Sequence, residues 1–141
     1  MGYRSHVAFI IKFKSTQDRD ALWMLFANSD SEGKREIAQA VLHEYAEPFI
    51  TYEHEDIKWY DGYEFVQAAD EMMSQAVELF NACWRFVSVG EDNNDNEEKE
   101  DGENADELWD YINLVRSVET SFPHLADTSS ASSSTPVTST I

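Results

Sequence analysis

The sequence is poor in cysteine, proline and glycine, with one, three and five residues in a chain of 141. A single cysteine, Cys83, excludes an internal disulfide and fits a reducing cytosol. Its apolar setting, FNACWRF, predicts a buried structural thiol and not a nucleophile. No apolar run reaches the ~20 residues of a membrane-spanning helix, and the start of the chain lacks a signal-peptide pattern. We therefore expect a protein of the cytoplasm with no membrane partner.

Basic residues are also scarce. The chain has ten Lys and Arg residues and 28 Asp and Glu residues, which gives a net charge of -18. Such a surface repels phosphates, so direct binding of nucleic acid is excluded as the expected function. A basic partner is permitted, and so is occupation of a site that normally holds DNA. Hydrophobic residues make up 42% of the chain, which predicts a folded domain.

Hydrophobic periodicity predicts eight elements before a Ser/Thr-rich tail. The pattern alternates with period two in the strands and has a 3.6-residue period in the helices. In chain order the predicted elements are a strand His6–Lys14, helices Thr16–Ala27 and Ser31–Ala46, strands Phe49–Glu53 and Ile57–Tyr60, a helix Gly62–Ala82, and strands Trp84–Val89 and Tyr111–Glu119.

The order β-α-α-β-β-α-β-β predicts an α+β fold, with a mostly antiparallel sheet covered by helices on one face. A ferredoxin-like variant is the nearest common architecture. Two alternatives stay open: residues 49–60 could form one long bent strand, and residues 108–119 also suit a helix. We expect a single domain over residues 1–120 and a disordered tail over residues 121–141.

The most unusual segment is Glu91–Asp110, which holds eleven carboxylates and one lysine in twenty residues. We predict an acidic loop over residues 91–107 that joins the last two strands as a long hairpin. A solvated loop without further function is the simplest interpretation.

A calcium loop is an alternative interpretation of the same segment. Oxygen-bearing side chains occupy positions one, three, five and twelve of the EF-hand pattern, at Asp92, Asn94, Asn96 and Glu103. The sixth position, where the sharp turn requires glycine, is Glu97. We therefore predict no metal site and keep the Asp92–Glu103 calcium module as the alternative.

A third interpretation is a surface that mimics the charge of nucleic acid and binds a basic partner. Closely spaced carboxylates resemble a row of phosphates, and nearby aromatic residues could anchor the contact. The candidate partner-binding residues are Asp92, Asp95, Glu97, Glu98, Glu100, Asp101 and Glu103, with Tyr60 and Tyr63 as aromatic anchors.

Catalysis is not expected, because solvated carboxylates keep ordinary pKa values and cannot divide acid and base roles. The chain has no glycine-rich phosphate loop and no Ser-His-Asp pattern. The histidines fall in separate predicted elements without metal-ligand spacing, at His6, His43, His54 and His124. We predict that the protein is not an enzyme and has no cofactor.

Three stretches, MGYRSHVAFIIKF, IKWYDGYEFV and WRFVSVGEDNNDNEE, carry a resemblance to small acidic accessory proteins of tailed bacteriophages. The resemblance covers most of the chain up to about Thr120. It implies a protein made in the cytoplasm of the infected bacterial host. Small acidic phage proteins often inhibit host defence or transcription machinery, so the resemblance implies a non-enzymatic inhibitor of a host protein with a basic surface.

Overall fold

The computed structural model describes residues 4–90, 96–114, 118–120 and 122, with residues 113, 114 and 118–120 described by their backbone. Ten elements follow one another along the chain. The strands are β1 (Ser5–Lys12), β2 (Phe49–Ile57), β3 (Cys83–Gly90), β4 (Asn96–Asp101), β5 (Ile112–Leu114) and β6 (Val118–Thr120). The helices are α1 (Thr16–Ala27), α2 (Glu32–Ala40) and α3 (Glu64–Phe80), with a 3-10 helix at Ala105–Asp110.

The main sheet has the strand order β2-β1-β3-β4, and each neighbouring pair is antiparallel. Strand β1 is central and buried on both faces, which explains its run of apolar residues from Val7 to Ile11. Because β2 and β3 are both antiparallel to β1, they run parallel to each other, and α3 connects them as a split βαβ unit. The α+β class and the antiparallel sheet are confirmed, while the ferredoxin-like order is not.

The three α-helices pack on one face of the sheet, as predicted. Alternate residues of β1, with Ile50 and Tyr52 of β2, join Leu22, Ile37 and Met72 of the helices in one apolar cluster. Serine side chains cap the first two helices, because Ser15 and Ser31 each accept a hydrogen bond from the backbone three residues on. The predicted start of α1 at Thr16 is confirmed.

The other face of the sheet is covered by the end of the chain. Ala8 and Ile10 of β1 and Val87 of β3 pack there with Leu108 of the 3-10 helix, and Phe122 lies against the same cluster. Phe122 thus lies just beyond the domain end that we predicted at residue 120. The rest of the predicted tail, residues 123–141, lies outside the described residues.

The predicted hairpin Phe49–Glu53 and Ile57–Tyr60 is wrong, and the alternative of one long strand is correct. Strand β2 pairs with β1 from Phe49 to Ile57, with one register shift near its end. The residues HED, interpreted as a turn, instead continue the ladder, because pairing with a central strand outweighs their weak strand propensity.

The second helix ends at Ala40 and not at Ala46. Leu42 exchanges two backbone hydrogen bonds with Thr51 of β2, with N···O distances of 2.8 and 2.9 Å. Val41 already has an extended backbone. Tertiary hydrogen bonds thus outweigh the helical pattern of the following residues.

The acidic stretch differs most from the prediction, because residues 96–101 form β4 and are not part of a loop. Strand β4, and not the predicted strand Tyr111–Glu119, pairs with β3. The described ends of that predicted strand form a separate pair, β5 with β6. Every residue of β4 is exposed, and charged residues suit an edge strand because they discourage pairing with other copies. Among the described helices, none has the length and apolar character needed to cross a bilayer.

Candidate functional site

Strand β4 presents its charges in two rows, because successive side chains point to opposite sides of a strand. The register with β3 places Glu97, Lys99 and Asp101 on the side of the α-helices, since Lys99 lies opposite Phe86. Asn96, Glu98 and Glu100 point to the other side. Side chains within one row are about 6.8 Å apart along the strand. The predicted acidic residues of this segment therefore form an ordered array.

The row formed by Asn96, Glu98 and Glu100 is held in place by Arg85 of β3. Arg85 was not among the predicted site residues. Its side chain is only 2% exposed. Its terminal nitrogens bind Glu100 and Glu98 at N···O distances of 3.0 and 3.2 Å, and Nε donates to the backbone oxygen of Ile112 at 3.0 Å. Glu98 and Glu100, which were predicted to bind a partner, thus form ion pairs with the buried side chain of Arg85.

Trp109 of the 3-10 helix completes this group of residues. The guanidinium carbon of Arg85 lies 4.6 Å from the centre of its ring, which is within the range of a cation–π contact. The indole nitrogen donates to Glu100 at 2.7 Å. We call Arg85, Glu98, Glu100 and Trp109 the Arg85 cluster. It joins β3, β4 and the 3-10 helix, so it holds the acidic edge in one conformation.

The row on the side of the α-helices, formed by Glu97, Lys99 and Asp101, makes fewer contacts with the rest of the protein. Lys99 lies over the ring of Phe86, with Nζ 4.9 Å from the ring centre. Asp101 accepts a hydrogen bond from the backbone of Gly102 at 2.8 Å. Among the described side chains, no salt bridge engages Glu97 or Glu103. These two carboxylates are therefore available to a partner.

Gly102 positions Glu103 by turning the chain away from β4. Its φ of +97° is in the left-handed region, and a Cβ atom there would lie 2.4 Å from the backbone oxygen of Ala82. Only glycine fits this conformation and this close approach. The turn at the end of β4 therefore requires glycine at position 102.

The remaining predicted partner-binding residues are not all on this edge. Asp92 and Asp95 lie outside the described residues. Tyr60 and Tyr63 contact each other, with ring centres 5.2 Å apart. Tyr63 lines a cleft of about 670 Å³ beside Arg4, at the end of β2. Both tyrosines follow the end of β2 and are not part of β4. Tyr60 comes directly after Trp59, whose ring contacts Phe86 of β3 at a centroid distance of 5.9 Å, and Phe86 pairs with Lys99 of β4.

The calcium loop that was kept as an alternative is not formed by its described members. Asn96 begins β4 and Glu103 follows its end. An extended strand of this length separates its first and last Cα atoms by about 17 Å. Ligands of one calcium ion must all lie within about 2.6 Å of it. Asn96 and Glu103 cannot share one ion in this conformation.

A group of possible metal ligands that was not predicted from the sequence lies elsewhere. His6 of β1 lies beside Glu53 and Glu55 of β2, with the three ligand atoms within 4.8 Å of one another. The sequence contained one signal, because Glu53 and Glu55 alternate around His54 and so share one face of a strand. His6 is 47 residues away in sequence from Glu53, and only the register of β1 and β2 brings it there.

Cys83 is buried, as predicted. Burial raises the pKa of its thiol above the ordinary value, chiefly by desolvation of the thiolate. A thiol with a raised pKa is a poor nucleophile near neutral pH. The position of Cys83 therefore favours a structural role.

Comparison with known proteins adds no family to this description. No protein-family model, no curated protein and no solved structure matches the chain.

Proposed function

We propose that the protein is a non-enzymatic binding protein that captures a partner with a basic surface through β4 and the turn after it. The observation that carries this proposal is the ordered acidic edge. Glu97 and Glu103 make no salt bridge within the described residues. Glu98 and Glu100 are held by Arg85, yet their side chains stay 40% and 34% exposed.

Pre-organisation makes this edge a better binding surface than a solvated loop. A flexible acidic loop loses conformational entropy when a partner orders it, at about 0.5–1.5 kcal/mol for each immobilised side chain. The Arg85 cluster fixes Glu98 and Glu100 before any partner arrives. A basic partner therefore meets carboxylates that are already in position.

The spacing of the charges supports mimicry of nucleic acid. Side chains that share one face of β4 are about 6.8 Å apart, so each row takes every second position of the spacing of about 3.4 Å that charges on one strand of B-DNA have along the axis. Four of the six residues of β4 are acidic. A basic channel that accepts a phosphate row is thus the partner surface that this edge fits best.

The backbone of β4 offers a second mode of contact. One edge of β4 pairs with β3, and within the described part of the chain no strand pairs with its other edge. An extended basic segment could add to this edge as a further strand. A second copy of β4 would place acids against acids, which is unfavourable in cross-strand pairs. The charge pattern therefore favours a basic partner over self-association.

The resemblance to phage proteins supports a host protein as the partner. On this proposal the chain acts in the cytoplasm of an infected bacterium. It inhibits a defence or nucleic-acid-handling protein by occupying its basic site. The mechanism is steric and electrostatic occlusion, which needs no catalytic residue and no cofactor.

The test is capture of bacterial proteins on the immobilised chain at low salt, followed by elution at high salt. The double variant Glu97→Lys with Glu103→Lys should weaken capture of the true partner and reduce the salt dependence of binding. The matched control is Glu44→Lys with Glu36→Lys, which makes the same change in net charge at exposed residues outside β4 and the turn after it.

Duplex DNA separates mimicry from simple charge attraction. If the partner uses the same basic channel for DNA, DNA and this protein should compete for it. The proposal is wrong if the two double variants lose the partner equally, because net charge and not the β4 edge would then explain capture. Undiminished capture by the Glu97→Lys and Glu103→Lys variant would also contradict it.

A further inference from the structure

A second set of functional groups lies at the other edge of the sheet and is independent of the acidic edge. His6, Glu53 and Glu55 come from neighbouring strands and meet on one face. The register explains how they meet. Ser5 pairs with Ile57 and Val7 pairs with His54, so His6 alone faces two residues of β2, Glu55 and Asp56. This is a β-bulge, a feature that redirects side chains and is common beside functional sites.

The distances suit a metal ion with little rearrangement. Nε2 of His6 lies 2.9 Å from a carboxylate oxygen of Glu53, and the ligand atoms of all three residues lie within 4.8 Å of one another. Ligands of a tetrahedral zinc ion, at about 2.0–2.1 Å from the metal, are about 3.4 Å apart. Small side-chain rotations therefore convert this arrangement into a coordination shell.

The strands hold two of the three ligands in place. The side chains of His6 and Glu53 are only 19% and 32% exposed. Glu55 is exposed and can turn towards an arriving ion. Partial burial lowers the entropy lost when the first two ligands bind a metal, while the exposed third ligand leaves a path of entry.

The ligand types select the class of metal. Calcium and magnesium prefer all-oxygen sites. An imidazole nitrogen with two carboxylates is instead a donor set for zinc and similar divalent transition metals. We propose that His6, Glu53 and Glu55 form a binding site for a zinc-class divalent cation, with the fourth position left to water or to a ligand from a partner.

The simplest competing explanation is an ordinary ion pair between His6 and Glu53. A substitution of Glu55 distinguishes the two explanations, because the ion pair involves only His6 and Glu53. A metal site loses one of its three protein ligands when Glu55 becomes glutamine. Since Glu55 is exposed, its substitution leaves the core intact.

The experiment is calorimetric titration of the full chain, without an affinity tag, with Zn²⁺ in metal-free buffer. We expect one saturable site per chain. Glu55→Gln should weaken zinc binding at least about tenfold, since even indirect partners of metal ligands are worth about 10–100-fold. His6→Gln should weaken it further. Ring-nitrogen NMR should show that the His6 signal shifts on addition of Zn²⁺.

Two control variants match these changes in chemistry. His54→Gln removes an imidazole one residue from both glutamates but on the opposite face, where His54 lines the cleft beside Tyr63. Glu78→Gln removes an exposed carboxylate from α3. Both should bind zinc as the unaltered chain does.

Either of two results would overturn the site. The first is the absence of saturable zinc binding to the full chain. The second is zinc binding that Glu55→Gln leaves unchanged, or that His54→Gln weakens as much as His6→Gln does. Neither result affects the proposal for β4, because the two sites share no residue.

Discussion

The guanidinium carbon of Arg85 lies 4.6 Å from the centre of the Trp109 ring. The same Trp109 donates its indole N–H to Glu100, which in turn pairs with Arg85. These three contacts form a closed triangle between β3, β4 and the 3-10 helix. The acidic strand is therefore attached to the domain by side chains as well as by its backbone ladder.

Replacement of Arg85 by methionine should destabilise the domain by about 2–4 kcal/mol. The variant loses the cation–π contact, leaves the backbone oxygen of Ile112 without its donor, and removes the cation between two partly exposed carboxylates. Urea denaturation measures the change. Arg35→Met, at an exposed arginine, should stay within about 1 kcal/mol. Equal effects of the two substitutions would show that the Arg85 cluster adds no stability.

Gly102→Ala should destabilise the domain by about 2 kcal/mol or more, because the left-handed φ and the close backbone both oppose a side chain. The added Cβ would lie 2.4 Å from the backbone oxygen of Ala82 and 2.6 Å from Cα of Cys83. Gly62→Ala is the control, since nothing lies within 4 Å of a Cβ at that position. A midpoint of urea denaturation for Gly102→Ala that equals the control's would disprove this account of the turn.

Asn81→Gly should stabilise the domain by up to about 1 kcal/mol. Asn81 ends α3 with a φ of +56°, a conformation that glycine adopts more easily than asparagine. Asn28 ends α1 with a φ of -105°, so Asn28→Gly gains nothing from glycine and should destabilise. Thermal denaturation of the pair tests the difference. Melting temperatures that change in the same direction would contradict it.

Stability should fall as the pH drops below 6.5, and His43 should account for part of the loss. Burial lowers the pKa of His43 below its ordinary value of 6.5. The unfolded chain therefore takes up a proton at a higher pH than the folded chain does, and folding loses stability as the pH falls through this window. The ring stacks on Trp23 at a centroid distance of 4.3 Å.

His43→Phe keeps an aromatic ring and removes the titration. Urea denaturation at pH 7.5 and pH 5 should show a smaller loss of stability in this variant than in the unaltered chain. An equal loss in both proteins would mean that His43 carries the same pKa in the folded and unfolded states.

Strand β1, helix α1 and helix α3 were expected within a few residues of their observed bounds. The apolar run of β1 and the apolar stripe of α3 are the local signals of their burial, and the capping residue Ser15 is the local signal for the start of α1. Leu42 shows the limit of these signals. Its backbone pairs with Thr51 of a distant strand, and no local pattern records that pairing.

The candidate site was predicted in composition but not in shape. Glu97 to Asp101 have low strand propensity, so a loop was the expectation. The ladder to β3 and the buried Arg85 reverse that preference, and both depend on partners far away in sequence. The spacing of His6, Glu53 and Glu55 in the sequence could not predict that they lie together. Only the pairing of β1 with β2 and the β-bulge between them bring these side chains together.

The side chains of the acidic edge differ in what they contribute to the fold. Glu98 and Glu100 are tied to the fold through Arg85, so a change at either one is felt in stability. Glu97 and Glu103 are free of such ties within the described residues. On the proposed function, substitutions at Glu97 and Glu103 would therefore alter the binding surface, while the contacts that attach β4 to the domain stay in place.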